Sequence, residues 1–490
     1  MIVPNKQTFL RDAESFSVIP VSKEIRADFE TPLSIFLKSG GMFLLESIER
    51  GEHVGRYSFI ACGKKSEISI RDRRIVIREK NGDLKTVAEA SLPNPLEELR
   101  RYFQSLKSPV YEHLPPFFGG AIGYFGYETV QYFEQIPTAV NDSSIPDALL
   151  IIPETLLVYD SVKRSIFIIT AVYPKKNPEK EYEEAADRIE SIERILSPPI
   201  AAAAPRRGGE KPVLRPETSP EKFKEGVEAG KKYIREGDIY QVVLSQRFAV
   251  DLDVDPFAVY QALRMINPSP YLFYLDFDEF TLIGSSPEVM VRKQNRELLI
   301  KPLAGTRPRG GTVAEDDLLA RELLSDPKEK AEQIMLVDLA RNDLGRLAKP
   351  GSVDVVDYMS VERYSHVMHI VSSVKAELAE PYDIFDVIRA VFPAGTLSGA
   401  PKIRAMEIIS ELEGTRRGVY GGMVCYLGFN GNFDSCITIR TILMQGKTAF
   451  IQAGAGIVAD SVPENEYRES CHKAQALFQA IERASQEQGE

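Results

Sequence analysis

The order of strand-like and helix-like segments constrains the fold of this chain more than any other feature. After residue 218 such segments alternate irregularly, without the repeating strand–helix–strand rhythm that builds parallel sheets. This irregularity argues against a Rossmann fold or a TIM barrel. Short strand-like runs also occur earlier, at residues 42–45, 66–71 and 165–172. We therefore predict an α+β fold in which large, mostly antiparallel β-sheets pack as a sandwich with flanking helices.

One stretch divides the chain into two parts. Pro198 and Pro199 are followed by four alanines from Ala201, by Arg206-Arg207-Gly208-Gly209 and by further prolines. Such a composition is typical of an exposed linker. We predict an N-terminal region at residues 1–197, a linker at 198–217 and a C-terminal region at 218–490.

Charge and cysteine usage exclude several classes of protein. The 490 residues include 60 Lys and Arg against 71 Asp and Glu, a net charge of −11, which argues against nucleic acid as the main partner.

No signal peptide is evident and no apolar run approaches the roughly 18 residues of a membrane span, so we expect a cytoplasmic protein without a membrane partner. Cys62, Cys425, Cys436 and Cys471 form no C-x-x-C pair, which predicts free thiols.

Two predicted helices each display carboxylates three residues apart. The first begins at Asp326-Pro327-Lys328-Glu329, which has the form of a capping box, and the second begins at Ser461. The carboxylates that share a face are Glu329 and Glu332 on the first helix, and Glu466 and Glu469, beside Lys473, on the second. Such a set suits a hard cation such as Mg²⁺. Two solvated acidic faces are the commoner explanation of this spacing.

Glycine-rich segments provide a second kind of candidate site. Residues 453–456 follow a strand-like run, and Gly395–Pro401 precedes a helix. Both are predicted turns that can direct backbone N–H groups at an anion. Tight-turn geometry explains the same glycines without any ligand.

Two titratable residues stand out among apolar neighbours. Arg440 is predicted to lie in a strand at residues 436–440, on the same face as Thr438, where it can bind a carboxylate or form a surface salt bridge. His369 is either a general base near neutral pH or a buried histidine with satisfied hydrogen bonds. No G-x-S-x-G, P-loop or G-x-G-x-x-G motif is present, so hydrolase, NTPase and dinucleotide-binding functions have no support.

Five longer motifs occur together along the chain. They are Pro302–Gly310, Leu336–Asp343, Gly395–Lys402, Gly418–Gly422 and Ala453–Val458. The set resembles the chorismate-utilising enzymes and, within them, component I of anthranilate synthase. The resemblance covers nearly the whole chain and is strongest after Pro220, while Leu44–Ser47 and Gly55–Ser58 match in the N-terminal part.

The resemblance implies a site for chorismate. Glu332 and Glu469 are expected to bind Mg²⁺, with Glu329 and Glu466 close by, and the metal anchors the ring carboxylate. The expected substrate contacts are Gly305, Thr306, Tyr420, Arg440, Gly454, Ala455 and Gly456.

The resemblance also implies a reaction in two steps. Ammonia adds at ring carbon 2 as the carbon-4 hydroxyl leaves, and Glu288 matches the general acid for that departure, so its pKa should be raised. The intermediate, an amino-deoxyisochorismate, then loses pyruvate and becomes aromatic. His369 matches the residue that takes the carbon-2 proton. Gln241 and Thr396 complete the expected catalytic set.

Two positions separate the possible products. Isochorismate and salicylate synthases carry a lysine where this chain has Gln241, and an amide cannot activate water as a lysine does. Aminodeoxychorismate synthases commonly carry a lysine at Ala304, whose methyl group cannot attack the ring. Anthranilate is therefore the expected product, component I of aminodeoxychorismate synthase is the alternative, and a non-catalytic subunit that binds tryptophan and a glutaminase is the alternative from another class.

Regulation and a partner are implied as well. The family, which catalyses the first step of tryptophan biosynthesis, binds tryptophan as a feedback inhibitor, and the matching positions here are Leu45, Glu46, Ser47, Pro270, Tyr271 and Leu272. Ammonia is usually delivered by a glutaminase subunit, component II. None of the four cysteines lies in a Gly-x-Cys-x-Gly elbow, so a separate amidotransferase partner is expected.

Overall fold

The computed structural model of the chain describes residues 1–47, 55–81, 83–91, 94–137, 144–198, 212–364 and 367–487. Most of the predicted linker, residues 199–211, lies outside the described residues. No helix in the described ranges is both long enough and apolar enough to cross a membrane. All four cysteines are free thiols, as predicted.

Strands account for much of the described chain. They are β1 (Ile2–Val3), β2 (Ile19–Arg26), β3 (Phe43–Glu46), β4 (Tyr57–Arg71), β5 (Arg74–Asn81), β6 (Asp83–Ser91), β7 (Gly120–Phe125), β8 (Ala148–Asp160), β9 (Ser165–Val172), β10 (Arg215–Pro216), β11 (Gln241–Asp251), β12 (Tyr271–Asp276), β13 (Thr281–Ser286), β14 (Val289–Gln294), β15 (Glu297–Ile300), β16 (Leu303–Pro308), β17 (Asp354–Arg363), β18 (Val367–Glu377), β19 (Gly399–Ala400), β20 (Met423–Gly428), β21 (Phe433–Ile437), β22 (Thr441–Gln445) and β23 (Thr448–Ile457).

Helices flank these strands. They are α1 (Lys6–Asp12), α2 (Pro32–Ser39), α3 (Pro95–Ser105), α4 (Pro178–Leu196), α5 (Pro220–Glu236), α6 (Pro256–Ile266), α7 (Val313–Ser325), α8 (Pro327–Gly345), α9 (Ile384–Val391), α10 (Lys402–Glu413) and α11 (Pro463–Glu487). In the described part of the chain, the short 3₁₀ segments Tyr127–Tyr132 and Gly395–Leu397 lie in connections.

The strands form two layers, and neighbouring strands pair antiparallel. The first layer runs in the order β1-β2-β9-β8-β4-β3-β12-β13-β22-β23-β11. The second runs β6-β5-β4-β8-β7-β20-β21-β14-β15-β18, with β16 and β17 both against β18. The long strands β4 and β8 belong to both layers, because their two halves pair with different neighbours.

The space between the layers is filled by large apolar side chains. Phe43 and Phe273 of the first layer are buried in one cluster with Tyr124 and Val424 of the second. This packing confirms the predicted α+β sandwich of antiparallel sheets. Strands from both sides of the linker contribute to each layer, since β3 pairs with β12 and β7 pairs with β20.

Local sequence signals fix the helices that flank the site. The Asp326 side chain accepts hydrogen bonds from the N–H groups of Lys328 and Glu329 and so caps α8, with Pro327 in its first turn. A capping box also predicts a hydrogen bond from the Asp326 backbone N–H to the Glu329 side chain. That part of the prediction is wrong, because the Glu329 carboxylate pairs with Arg307 instead. Helix α8 packs on β16 and β18, and α11 packs on β23. Both acidic helices therefore lie beside strands that carry predicted site residues.

Candidate active site

The predicted catalytic residues come from separate elements of the chain that meet in space. Gln241 begins β11, Glu288 lies between β13 and β14, Thr396 lies in the second 3₁₀ segment and His369 lies in β18. The Glu288 carboxyl interacts with Thr396, Arg440 and Glu332, and Gln241 Nε2 is 3.5 Å from Glu332 Oε1. The structure thus brings the predicted catalytic set together with one of the predicted metal ligands.

Glu288 is a buried carboxyl with an unusual pKa. Burial raises the pKa of Glu288 from 4.5 to about 8, and Glu332 adds to the rise, while Thr396 and Arg440 lower it. The Thr396 hydroxyl itself has no hydrogen bond of normal geometry among the described residues. Glu288 is therefore protonated at neutral pH, which is the state that a general acid requires.

The prediction that Arg440 lies in a strand is wrong. Strand β21 ends at Ile437 and β22 begins at Thr441, and Arg440 has a left-handed φ of 49°. The physical reason is the change of layer: β21 belongs to the second layer and β22 to the first, and residues 438–440 carry the chain across. Arg440 and Thr438 therefore do not share a strand face, and the Arg440 carbonyl accepts a hydrogen bond from Ser285 N at 3.1 Å.

The Arg440 side chain is partly buried, and among the described residues it has no counter-ion. Within the described ranges, its side chain forms no ion pair and no hydrogen bond. Burial lowers the pKa of Arg440, while Tyr364 and Glu288 raise it. A cation that is partly withdrawn from water without a partner is costly for the free protein, so this group suits an anionic ligand that enters the site.

The hydrogen bonds of His369 define its tautomer. His369 Nδ1 lies 2.8 Å from the Gly305 carbonyl oxygen and 3.1 Å from Thr306 Oγ1. Because a carbonyl only accepts, Nδ1 carries the proton and the neutral ring presents a lone pair at Nε2. Nε2 is buried and has no hydrogen-bond partner among the described residues. Burial lowers the pKa of His369 to about 4, so Nε2 is free to accept a proton at neutral pH.

The predicted glycine-rich turn at residues 453–456 is wrong. Gly454, Ala455 and Gly456 continue β23 and pair with β11. A Cβ atom on Gly454 would lie 2.4 Å from the Leu244 carbonyl oxygen, and one on Gly456 would lie 2.5 Å from Gln241 Nε2. These glycines are required for close approach rather than for a turn, because any side chain would collide with β11.

The remaining predicted substrate contacts border the same region. Gly305 has a φ of 66°, and a Cβ atom there would lie 3.0 Å from Glu329 Oε2. Thr306 is exposed, whereas Tyr420 is buried with its hydroxyl 3.0 Å from the position of a Cβ on Gly454. Ala304, which directly precedes Gly305 in β16, is buried and pairs with Ile370 of β18.

The four predicted metal-binding carboxylates gather between α8 and α11. Burial raises the pKa of Glu332, and Glu329 and Glu469 raise it further; burial likewise raises the pKa of Glu466, and Glu469 adds to the rise. Glu469 also pairs with Lys473 at 2.7 Å. Like charges held together, two of them largely buried, fit a hard cation such as Mg²⁺. Within the described ranges, however, no three metal-ligating side chains are already spaced around a single point.

The six residues predicted for regulation lie together. They line one cavity of about 430 Å³ and are Leu45, Glu46, Ser47, Pro270, Tyr271 and Leu272. Pairing of β3 with β12 places Glu46 opposite Leu272. The Glu46 carboxylate accepts hydrogen bonds from Arg264 at 2.9 and 3.2 Å, and the Tyr271 hydroxyl donates to Asp434 at 2.7 Å.

Sequence reasoning missed two charged residues near the site. Arg417 and Glu413 form a buried ion pair directly before the Gly418–Gly422 motif. Their only sequence signal is this proximity to the motif. The sequence predicts that Lys473 lies on the same helix face as Glu466 and Glu469. It does not predict the hydrogen bond that Lys473 Nζ donates to the Gly454 carbonyl oxygen at 2.9 Å.

Comparison with known proteins gives a consistent result. Residues 49–479 match the family model described as chorismate binding enzyme. Anthranilate synthase component 1 of Acetivibrio thermocellus is 46% identical over 97% of both chains. The protein of that name from Aquifex aeolicus is 44% identical over 98% of this chain and 97% of its own. The crystal structure of anthranilate synthase component I from Streptococcus pneumoniae superposes with a TM-score of 0.74 at 35% identity, covering 92% of this chain and 98% of that one.

Proposed function

The chain belongs to the anthranilate synthase component 1 family of chorismate-binding enzymes, and we propose that it converts chorismate and ammonia into anthranilate and pyruvate. One observation carries the proposal beyond membership of the family. A carboxyl that is protonated at neutral pH, Glu288, interacts electrostatically with the Arg440 guanidinium, which has no ion-pair partner among the described residues. The first can donate a proton to a leaving hydroxyl, and the second can hold an anionic substrate.

Chorismate carries two carboxylates, and the site offers two places for negative charge. Arg440 can bind one of them through charge-assisted hydrogen bonds. The second place lies between the acidic helices, where Glu332 and Glu469 would hold Mg²⁺, with Glu329 and Glu466 close by. When bound, Mg²⁺ supplies positive charge for the ring carboxylate of the substrate.

Glu288 acts in the first step. Ammonia forms a bond to ring carbon 2, the ring double bond shifts, and the bond from carbon 4 to its hydroxyl oxygen breaks; the added ammonium group then loses one proton to solvent. That hydroxyl is a poor leaving group, and it departs as water when the Glu288 carboxyl gives up its proton. The buried setting keeps Glu288 protonated beforehand. The positive charge of Arg440 holds the substrate in place. It also stabilises the negative charge on Glu288 after that residue has given up its proton.

His369 acts in the second step. Its Nε2 lone pair takes the proton from carbon 2 of the aminated intermediate, and the ether bond of the pyruvyl group breaks. The electron pair of that carbon–hydrogen bond completes the aromatic ring, and the enolate that leaves takes up a proton to become pyruvate. The hydrogen bond from Nδ1 to the Gly305 carbonyl oxygen stabilises the imidazolium that forms. Because the pKa of His369 is low, the imidazolium gives up that proton readily and the neutral ring is restored.

Two residues favour anthranilate over related products. Gln241 lies against Glu332, and its amide cannot act as a base toward water. Ala304 is a buried methyl group without a nucleophile. Water addition and covalent attack on the ring are thereby disfavoured, and ammonia is left as the nucleophile.

Regulation and supply of ammonia complete the proposal. The cavity that contains Ser47 and Tyr271 has room for tryptophan as a feedback inhibitor. The relatives are named as component 1, which supports a second component, a glutaminase that delivers ammonia. We expect this assembly in the cytoplasm.

The decisive experiment uses the purified chain alone. It is mixed with chorismate, Mg²⁺ and a high concentration of ammonium at mildly alkaline pH, and products are followed by anthranilate fluorescence and mass spectrometry. Anthranilate and pyruvate in equal amounts, lost on addition of EDTA, are the expected result. Accumulation of aminodeoxychorismate would mean that Ala304 does not exclude the alternative reaction, and the absence of turnover would favour a non-catalytic role.

A further inference from the structure

A buried ion pair outside the reacting groups joins three segments of the site. The side chains of Arg417 and Glu413 are 1% and 5% exposed. Arg417 Nε donates to Glu413 Oε2 at 2.9 Å, and Arg417 NH2 donates to Oε1 at 2.6 Å. Such a two-bond pair fixes the plane of the guanidinium.

The outer N–H groups of Arg417 reach two main-chain carbonyls. NH1 donates to the Leu397 oxygen at 2.6 Å, and NH2 donates to the Val243 oxygen at 2.7 Å. Leu397 follows Thr396, and Val243 lies two residues after Gln241. The guanidinium is therefore bonded to both segments that carry these predicted catalytic residues.

Two aromatic rings enclose the same guanidinium. Its carbon lies 4.8 Å from the centre of the Tyr127 ring and 5.6 Å from the centre of the Tyr420 ring. The attraction between a cation and an aromatic face fixes the ring of Tyr420, a predicted substrate contact. On the other side of the ion pair, Glu413 Oε1 accepts from Ser245 N at 2.7 Å and from Ser245 Oγ at 2.9 Å.

The backbone of Arg417 is held as firmly as its side chain. Its N–H donates to Glu128 Oε1 at 2.7 Å, and Gly418 N donates to Glu128 Oε2 at 3.0 Å. Glu128 is buried and belongs to the N-terminal half of the chain. Four of the five guanidinium donors and the backbone N–H thus have fixed partners, so Arg417 has little freedom to move.

We propose that Arg417 is a positioning residue that fixes Thr396, Gln241 and Tyr420 relative to one another for the reaction proposed above. It does not reach the substrate, because its guanidinium is enclosed by protein. A lysine would keep the charge but would lose the planar fork, and it cannot bond Glu413, Leu397 and Val243 in the same geometry. The three segments would then be free to shift by fractions of an ångström.

The test compares Arg417→Lys with a matched control, Arg100→Lys. Arg100 is largely buried on α3, and its NH2 pairs with Asp386 at 2.7 Å, in a part of the protein that carries no predicted site residue. Arg417→Lys is expected to lower kcat for anthranilate on the order of 10²-fold, with a much smaller change in KM for chorismate. The control is expected to lower the thermal midpoint without this loss of kcat.

Hydrogen exchange gives a readout that does not depend on turnover. In Arg417→Lys, amide exchange is expected to rise selectively at residues 395–398 and 241–245. An even rise across the core, or a loss of kcat no larger than that of the control, would overturn the proposal. If Arg417→Lys does not accumulate as folded protein, Glu413→Gln, which keeps the side-chain volume and an oxygen for Ser245, is scored by the same criteria. If the unmodified chain makes no anthranilate, the proposed function fails while the exchange result still decides the role of Arg417.

Discussion

The Glu288 carboxyl and the Arg440 guanidinium influence each other's ionisation without forming an ion pair. Burial raises the pKa of Glu288 by more than Arg440 lowers it, so Glu288 remains protonated near neutral pH. The pair therefore offers a proton donor and a free cation side by side. A conventional salt bridge between the two residues would remove both functions.

Arg440 is predicted to be more important for binding chorismate than for folding. Arg440→Met removes charge-assisted hydrogen bonds worth about 1.5–3 kcal/mol each, so KM should rise at least about 10-fold. The fold should not lose stability, because the variant removes a partly buried charge that no described residue pairs with. Steady-state kinetics and thermal unfolding check both points, with exposed Arg101→Met as control. A strongly destabilised Arg440→Met with unchanged KM would contradict the assignment.

His369 is predicted to act only after amination. His369→Gln removes the Nε2 lone pair, so the aminated intermediate should accumulate with its pyruvyl ether intact while anthranilate formation falls by about 10²–10⁴-fold. Mass spectrometry of the quenched reaction distinguishes the two compounds. His113→Gln, at a histidine near Ser22 and away from the site, is the control. If both substitutions leave the product ratio unchanged, His369 is not the base.

The gathered carboxylates predict a metal effect that is visible without substrate. Mg²⁺ should raise the thermal midpoint of the unmodified chain, because it relieves repulsion among Glu332, Glu466 and Glu469. Glu469→Gln should reduce this rise. The same substitution at Glu464, on the first turn of α11 but paired with Lys224, should leave it intact. Equal responses in the two variants would place the metal elsewhere.

Ser47 is predicted to affect inhibition more than catalysis. Ser47→Ala should weaken inhibition by tryptophan, since Ser47 lines the 430 Å³ cavity and is not among the predicted catalytic residues. The chain contains no tryptophan, so the fluorescence of the added amino acid reports binding directly. Unchanged inhibition, with unchanged binding, would rule out this cavity as the regulatory site.

The sequence predicted the helices of the site better than its loops and strands. Ser219 and Asp326 are ordinary N-cap residues and mark the starts of α5 and α8 correctly. Arg440 was misplaced because Cys436–Arg440 reads as a strand, and no local signal marks the step between layers. Gly454 was misread because a glycine needed for close packing is indistinguishable in sequence from a glycine needed for a turn.

Residues that act through long-range contacts were the hardest to predict. Arg417 bonds to Val243, which is 174 positions away in sequence, and its role depends on that contact. The raised pKa of Glu288 likewise depends on burial by distant segments. The motif resemblance supplied the candidate residues, and only the fold shows which of them touch.

The protonation state of Glu288 tests the central claim most directly. Its folded-state pKa is about 8, raised from 4.5 by burial, so Glu288 should stay protonated through neutral pH and ionise as pH rises through about 8. The contribution of neutral Glu288 to the free energy of unfolding is fully present below about pH 4.5. It is lost as the pH rises toward 8, because in that range the carboxyl ionises in the unfolded chain but not in the folded one. Infrared difference spectra of the metal-free protein against Glu288→Gln measure this carboxyl alone. A protonated carboxyl band at pH 7 that disappears near pH 8 is the predicted result, and a carboxylate band already complete at pH 6 would contradict the account.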